Sequence, residues 1–309
     1  MKELVIALIA STVEFSTPIL LGALGEIIIE RAGILNIGIE GMMLMGAFAG
    51  FWACYSSGNP YVGMIFAILI GMMFGLLMAF LSVHLRVDQM IAGLSIWILS
   101  IGLSTYLARK TLGIISGVIR IKGLPKTPVP GLCNLPIIGP IFFKQNIMVY
   151  LALLLVPVLW FLLFKTTFGL KIRSVGENPR MADTLGVSVY GIRYLCAVLG
   201  AGLIGLGGSY LVLGRMFTWI ENVTAGRGWL ALTIVLFSKR DPYRALAGAW
   251  LFGITYALQY HIQAMGLGIP YQLLLMLPYI MTIVVLIGII GKEEAPAALG
   301  KPYRREEPE

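Results

Sequence analysis

Apolar runs of about 20 residues, the length that crosses a hydrocarbon core, recur along most of this chain. Lipid is therefore its main solvent. Hydrophobic residues make up 58% of it and charged residues only 12%, against roughly 25% charged in a typical soluble domain. Crossing segments are expected near 4–25, 38–56, 61–83, 90–108, 147–165, 191–213, 223–237, 245–264 and 271–290. That is about nine transmembrane helices, with 8–10 allowed by broken or re-entrant segments: an all-α polytopic membrane protein. Glu3 and Glu14 interrupt the N-terminus, and later spans follow it, so it does not read as a signal peptide.

Charge sets the orientation. Arg31, Arg86, the basic residues of 165–193 and 238–244, and those of the tail fall on one side, which holds 14 of the 23 Lys and Arg residues. The positive-inside rule makes that side cytoplasmic and the N-terminus external. The net charge of +8 then describes topology, and no nucleic-acid partner is expected. The Pro- and Gly-rich stretch 109–146 becomes an irregular external loop whose apolar piece Ile137–Phe143 dips toward the headgroups. Gly46/Gly50 and Gly71/Gly75 are spaced for close helix packing.

Polar residues interrupt the apolar pattern at two places, Glu30–Gly41 and Glu221–Trp229. The first break follows the first span on the cytoplasmic side, and the second follows the sixth span outside. Spans 1–4 and 6–9 therefore read as two inverted four-helix repeats, a pattern that puts a substrate path at the repeat interface. One transmembrane domain, 1–309, is expected. It divides into a first repeat (1–108), an extracytoplasmic loop (109–146), a connecting span (147–165), a cytoplasmic loop (166–190), an inverted second repeat (191–290) and a cytoplasmic tail (291–309). Charges this deep need partners, water or a cavity. Asn36, Glu40, Asn222, Thr224 and Arg227 either line a polar path or cap half-helices and brace the bundle. Gln89, Gln272 and Trp97 are further path candidates, with Trp229, Tyr271 and Tyr279 as possible stacking surfaces or interface anchors.

The cytoplasmic loop carries a compact helix signal, Gly176-Glu177-Asn178-Pro179-Arg180-Met181-Ala182-Asp183-Thr184-Leu185-Gly186. Asn178 suits the N-cap, Pro179 the first helical position, and Gly186 a left-handed terminus. About two turns are expected, too short to persist alone, so the helix is either an ordinary surface turn or is held by a partner.

Catalytic chemistry finds little support. Cys54, Cys133 and Cys196 lie far apart, and His84 and His261 form no paired ligand pattern. No metal, cofactor or catalytic set emerges, and no G-x-x-x-x-G-K-[ST] phosphate loop is present.

The segment from Arg31 to Leu44, with Val175–Gly186 and Glu221–Leu232 after it, resembles the membrane permeases of bacterial nucleoside and simple-sugar ABC importers. The likeness runs from about residue 15 to 290 and is strongest to nucleoside-uptake permeases. The wider group includes ribose-type and branched-chain amino-acid permeases. The resemblance implies a multi-pass subunit of the bacterial plasma membrane that is not itself an enzyme. Its implied partners are a cytoplasmic ABC ATPase, a second homologous permease in a heterodimer, and an extracytoplasmic substrate-binding lipoprotein. A nucleoside would be the cargo, with ribose, another sugar or a branched-chain amino acid as the alternative. Gly176–Gly186 would be the coupling helix, with Pro179, Arg180, Ala182 and Asp183 touching the ATPase. Beside the ribose-type permeases the chain lacks an additional N-terminal span, which fits nine crossings. An ion-coupled secondary transporter is the more distant reading.

Overall fold

Helix accounts for nearly all of the regular structure, because a chain solvated by lipid must satisfy its backbone hydrogen bonds within each segment. The computed structural model describes residues 2–113, 119–266, 270–288 and 295–305. In chain order the helices are α1 (Lys2–Arg31), α2 (Ile39–Ser57), α3 (Pro60–Ala79), α4 (Gln89–Leu112), α5 (Ile138–Phe142), α6 (Ile147–Lys165), α7 (Thr167–Glu177), α8 (Pro179–Thr184), α9 (Val189–Tyr210), α10 (Arg227–Phe237), α11 (Pro242–Ala264), α12 (Tyr271–Leu275) and α13 (Leu277–Gly288). Wide π-helical turns extend α3 to His84 and α9 to Met216. Among the described residues there is no strand, only two isolated bridges.

Helix lies within each of the nine stretches expected from the apolar runs. Among the described residues, five helices are long and apolar enough to cross a membrane: α1, α3, α4, α6 and α9, with α3 and α9 counted to the ends of their π turns. The departures are informative. α1 runs to Arg31, past the expected limit at residue 25, because Arg31 anchors its end by donating to the carbonyls of Lys239 and Arg240. α10 begins at Arg227 and covers 11 residues, roughly 16 Å at about 1.5 Å per residue, half of a hydrocarbon core. The last stretch is split at Met276 into α12 and α13, and its residues 289–290 lie outside the described ones.

Helices α1 and α9 pack against each other at the centre. α1 also packs on α10 and α11, while α9 packs on α2 and α3. The expected small-residue pairs make the second set of contacts possible. A methyl group built on Gly46 would run into the Gly205 backbone, and one on Gly71 into the Ala201 carbonyl.

Residues 119–146 are irregular but folded back on the helix ends. The Ile121 and Leu124 amides donate to the Phe217 and Leu213 carbonyls, at 2.9 and 2.8 Å. The expected apolar piece contains α5, which packs on α1. Residues 114–118 of that loop lie outside the described ones.

Candidate functional site

At the second polar break, residues 222–226 form the turn that leads into α10, whose first amides have no partner within their own helix. Glu40, on the first turn of α2, fills that role. Its carboxylate accepts from the Thr224 hydroxyl at 2.6 Å, the Gly226 amide at 2.9 Å and the Gly228 amide at 2.6 Å. Glu40 and Thr224 are both buried. A carboxylate at a helix N-terminus is favoured by the local dipole and by charge-assisted hydrogen bonds. The three donors together offset the cost of burying its charge. Gly228 has no space for a side chain, since a Cβ there would lie 2.6 Å from the Glu40 Cα.

The first break is held by its own buried set. Asn36 donates through Nδ2 to Glu26 at 2.9 Å, and Gln89 accepts from the Leu35 amide at 2.7 Å. One turn along α1, Glu30 pairs with Arg240 at 2.7 Å, both side chains fully buried. Glu26 escapes sequence reasoning because it stands inside the apolar pattern that identifies α1. Its only signal is a carboxylate placed among the residues Gly25 and Ile27–Ile29.

A cavity of about 250 Å³ opens beside the second break. Its walls include Asn222, Arg227, Tyr256, Gln259, Tyr260 and Tyr279. A smaller cavity of about 140 Å³ shares Met216, Arg227 and Tyr260 with it and adds Phe15 and Arg215. The guanidinium groups are held against aromatic faces, Arg215 over Phe15 at 3.3 Å and Arg227 over Tyr256 at 5.0 Å from the ring centroids. Arg227 also donates to the Val223 and Thr224 carbonyls. Gln259 is 4% exposed, and its Oε1 has no hydrogen-bond partner. The site thus offers aromatic walls and guanidinium donors, a set suited to a polar ligand with a planar ring.

Of the path candidates read from sequence, Asn222 and Arg227 line this cavity. Asn36, Glu40, Gln89 and Thr224 are instead buried in the braces just described. Trp97 meets Trp229 edge to face at 5.6 Å, away from the cavity walls. Gln272 is exposed on α12, and the side chain of Tyr271 lies outside those described. Arg215, Tyr256, Gln259 and Tyr260 were missed. Tyr256, Gln259 and Tyr260 do carry a signal, since spacings of three and four place them on one face of α11.

At the opposite end, α8 forms as its signal requires. The Asn178 side chain accepts from the Met181 amide at 3.0 Å, Pro179 opens the helix, and Gly186 closes it at φ +80°. Its inward face is occupied by its own chain. Ala182 is buried among Val175, Val189 and Tyr303, and Asp183 accepts from the Tyr303 hydroxyl at 3.0 Å. Burial pushes the Tyr303 phenol above its ordinary pKa, with the Asp183 hydrogen bond and charge acting the same way. Glu177 and Arg180 are exposed, and Gly176 is buried against the Arg31 carbonyl.

The family model described as branched-chain amino acid transport system / permease component matches residues 8–286. A Haloferax volcanii chain provisionally named a glucose ABC transporter permease is 38% identical over 97% of this chain and 98% of its own length. A guanosine ABC transporter permease of Bacillus subtilis is 36% identical over 96% of each chain. A nucleoside ABC transporter permease of Lactococcus lactis is 35% identical, again over 96% of each. A second nucleoside ABC permease chain of L. lactis is 25% identical over 80% of this chain and 70% of its own. No solved structure matches.

Proposed function

The chain belongs to the branched-chain amino acid transport system / permease component family, and from that premise we propose that it forms the membrane path of an ATP-driven nucleoside importer. The observation that carries the substrate class is the pair of guanosine and nucleoside permeases, matched at 35–36% identity along 96% of both chains. The cavity at Arg227 supports it. Tyr260 and Tyr279, both exposed, offer aromatic surface to a base, and Arg227 and Asn222 offer hydrogen bonds to carbonyl and hydroxyl groups.

ATP is hydrolysed on a separate subunit, in keeping with a permease sequence that has no phosphate loop. A cytoplasmic ABC ATPase, a second permease and an extracytoplasmic binding lipoprotein complete the importer. The two nucleoside permeases of L. lactis favour a heterodimer.

Nine crossings in two inverted repeats organise the chain. The packing that supports this reading is an exchange: α1 lies on the helices that follow α9, and α9 lies on those that follow α1. Each polar break sits at the entry to the second helix of its repeat, α2 or α10. The N-terminus is external, and α8 faces the cytoplasm beside the tail. In this arrangement Glu40 joins the repeats, and Asn222 and Arg227 face substrate.

A second reading, import of a sugar, is favoured by the Haloferax relative. The test is ATP-dependent uptake of radiolabelled guanosine by proteoliposomes holding the complete importer, with uridine, ribose and glucose as competitors. Inhibition by nucleosides but not by sugars is expected. The reverse order overturns the nucleoside assignment, and uptake driven by an ion gradient without ATP overturns the ABC mechanism.

A further inference from the structure

Arg215 stands apart from the other cations inside this bundle. Arg240 pairs with Glu30, and Arg193 donates to the Lys301 carbonyl. Among the described residues the Arg215 guanidinium makes no hydrogen bond, although its Nη1 is sealed from solvent. Rings position it instead, Phe15 at 3.3 Å and Tyr260 at 5.7 Å from the ring centroids. Stacking of this kind fixes the plane of a guanidinium and leaves its N–H edge free for a ligand.

That edge belongs to the smaller cavity, of about 140 Å³, which Arg215 shares with Arg227. Arg227 spends its Nη1 on the Val223 and Thr224 carbonyls, and its Nε and Nη2 make no further bond among the described residues. Of the acids around the two cations, Glu14 is bonded to Lys126 at 2.6 Å, and Glu40 is taken up by Thr224, Gly226 and Gly228. The other side chains on this wall are Phe15, Pro18, Leu211, Met216 and Tyr260, so the Tyr260 hydroxyl is its one side-chain oxygen. The wall is therefore almost purely a donor surface.

A guanidinium is a planar fork of N–H donors with no acceptor. Two such forks favour a ligand edge made of acceptors and disfavour one that carries an amino donor. The edge of a 6-oxopurine sets O6 beside N7, both acceptors, whereas adenine sets an amino group beside N7. We infer that Arg215, together with Arg227, reads the base, so that the path selects 6-oxopurine nucleosides such as guanosine and inosine over adenosine. The inference rests on the nucleoside reading of this cavity. What it adds is the pair of residues that discriminates and the edge of the base that they read. Ribose is common to all three nucleosides, so contacts to its hydroxyls produce no such preference.

The test uses the assembled permease–ATPase complex in nanodiscs without its binding protein, so that the permease alone selects. Binding of radiolabelled guanosine is read by scintillation proximity. Unlabelled inosine is expected to compete as well as guanosine, and adenosine about tenfold less well. Arg215→Gln places a donor beside an acceptor, a pattern that suits adenine, and should erase the preference or reverse it. Arg215→Met, which removes the donors, should erase it without reversal. The order of competition does not depend on how much protein folds, so lost stability cannot mimic either result. Equal competition by adenosine in the parent overturns the inference. So does a preference that survives both substitutions, which would reduce Arg215 to a support for Phe15. A complex that imports guanosine into proteoliposomes but does not bind it here overturns the inference and leaves the nucleoside reading standing. A complex that imports no nucleoside refutes that reading itself.

Discussion

At the scale of single residues, the chain's buried charges mostly brace structure. Glu40 satisfies donors from Thr224, Gly226 and Gly228, so its loss strands three of them in a buried site. Glu40→Ala is expected to destabilise the protein by several kcal/mol, about 1–3 kcal/mol for each buried donor left without an acceptor. Glu40→Gln, which keeps one acceptor, should cost less. Thermal unfolding in detergent checks this, and equal midpoints for both variants and the parent would remove the brace. None of Glu40's partners could be found from spacing, because they lie 184–188 positions away. The sequence does show that a carboxylate so deep requires donors. Arg227 is the opposite case. Its cationic side chain was visible in an apolar context, and it does reach a cavity wall.

Secondary-structure elements were more legible where their signals are local. Asn178, Pro179 and Gly186 each occupy the position their backbone chemistry favours. The short helix exists because those caps are reinforced by packing against Val175, Val189 and Tyr303. The base of this element makes a contact that no local signal encodes. Gly176 lies against the Arg31 carbonyl, and its own carbonyl accepts from Ala298. The end of α1, the end of α7 just before α8, and the tail thus meet at one joint, and under the proposed mechanism a push on α8 reaches the first polar break through it. Gly176→Leu would force this joint apart, an overpacking cost of about 1–3 kcal/mol. Under the proposed mechanism it should reduce ATP-driven uptake per inserted molecule by about tenfold, the rate equivalent of roughly 1.4 kcal/mol. Uptake assays normalised to surface protein read the effect, and unchanged uptake would separate the joint from coupling.

Across the whole molecule, α1 and α9 form a central pair and each packs on the other's following helices. A chain that folded as two separate halves would lack those crossed contacts. Glu40 to α10 and Arg240 to Glu30 tie the halves again near the two breaks. The topology proposed on this basis is testable in a background without Cys54, Cys133 and Cys196. Ser57→Cys should react with a membrane-impermeant thiol reagent on intact cells, and Arg180→Cys only after the membrane is opened. Labelling of both sites on intact cells, or the reverse order, would refute the orientation. By itself the sequence determined that the chain is helical and lives in lipid, where its apolar stretches lie, where they break, and how α8 is capped. These properties depend on solvent transfer and on backbone chemistry within a few residues. Only the tertiary structure decided that Glu40 caps a distant half-helix, that Arg215 and Gln259 join Arg227 around a cavity, and that the tail closes over α8. Such pairings join residues remote along the chain, and hydrophobicity, which drives burial without direction, does not specify which polar groups meet.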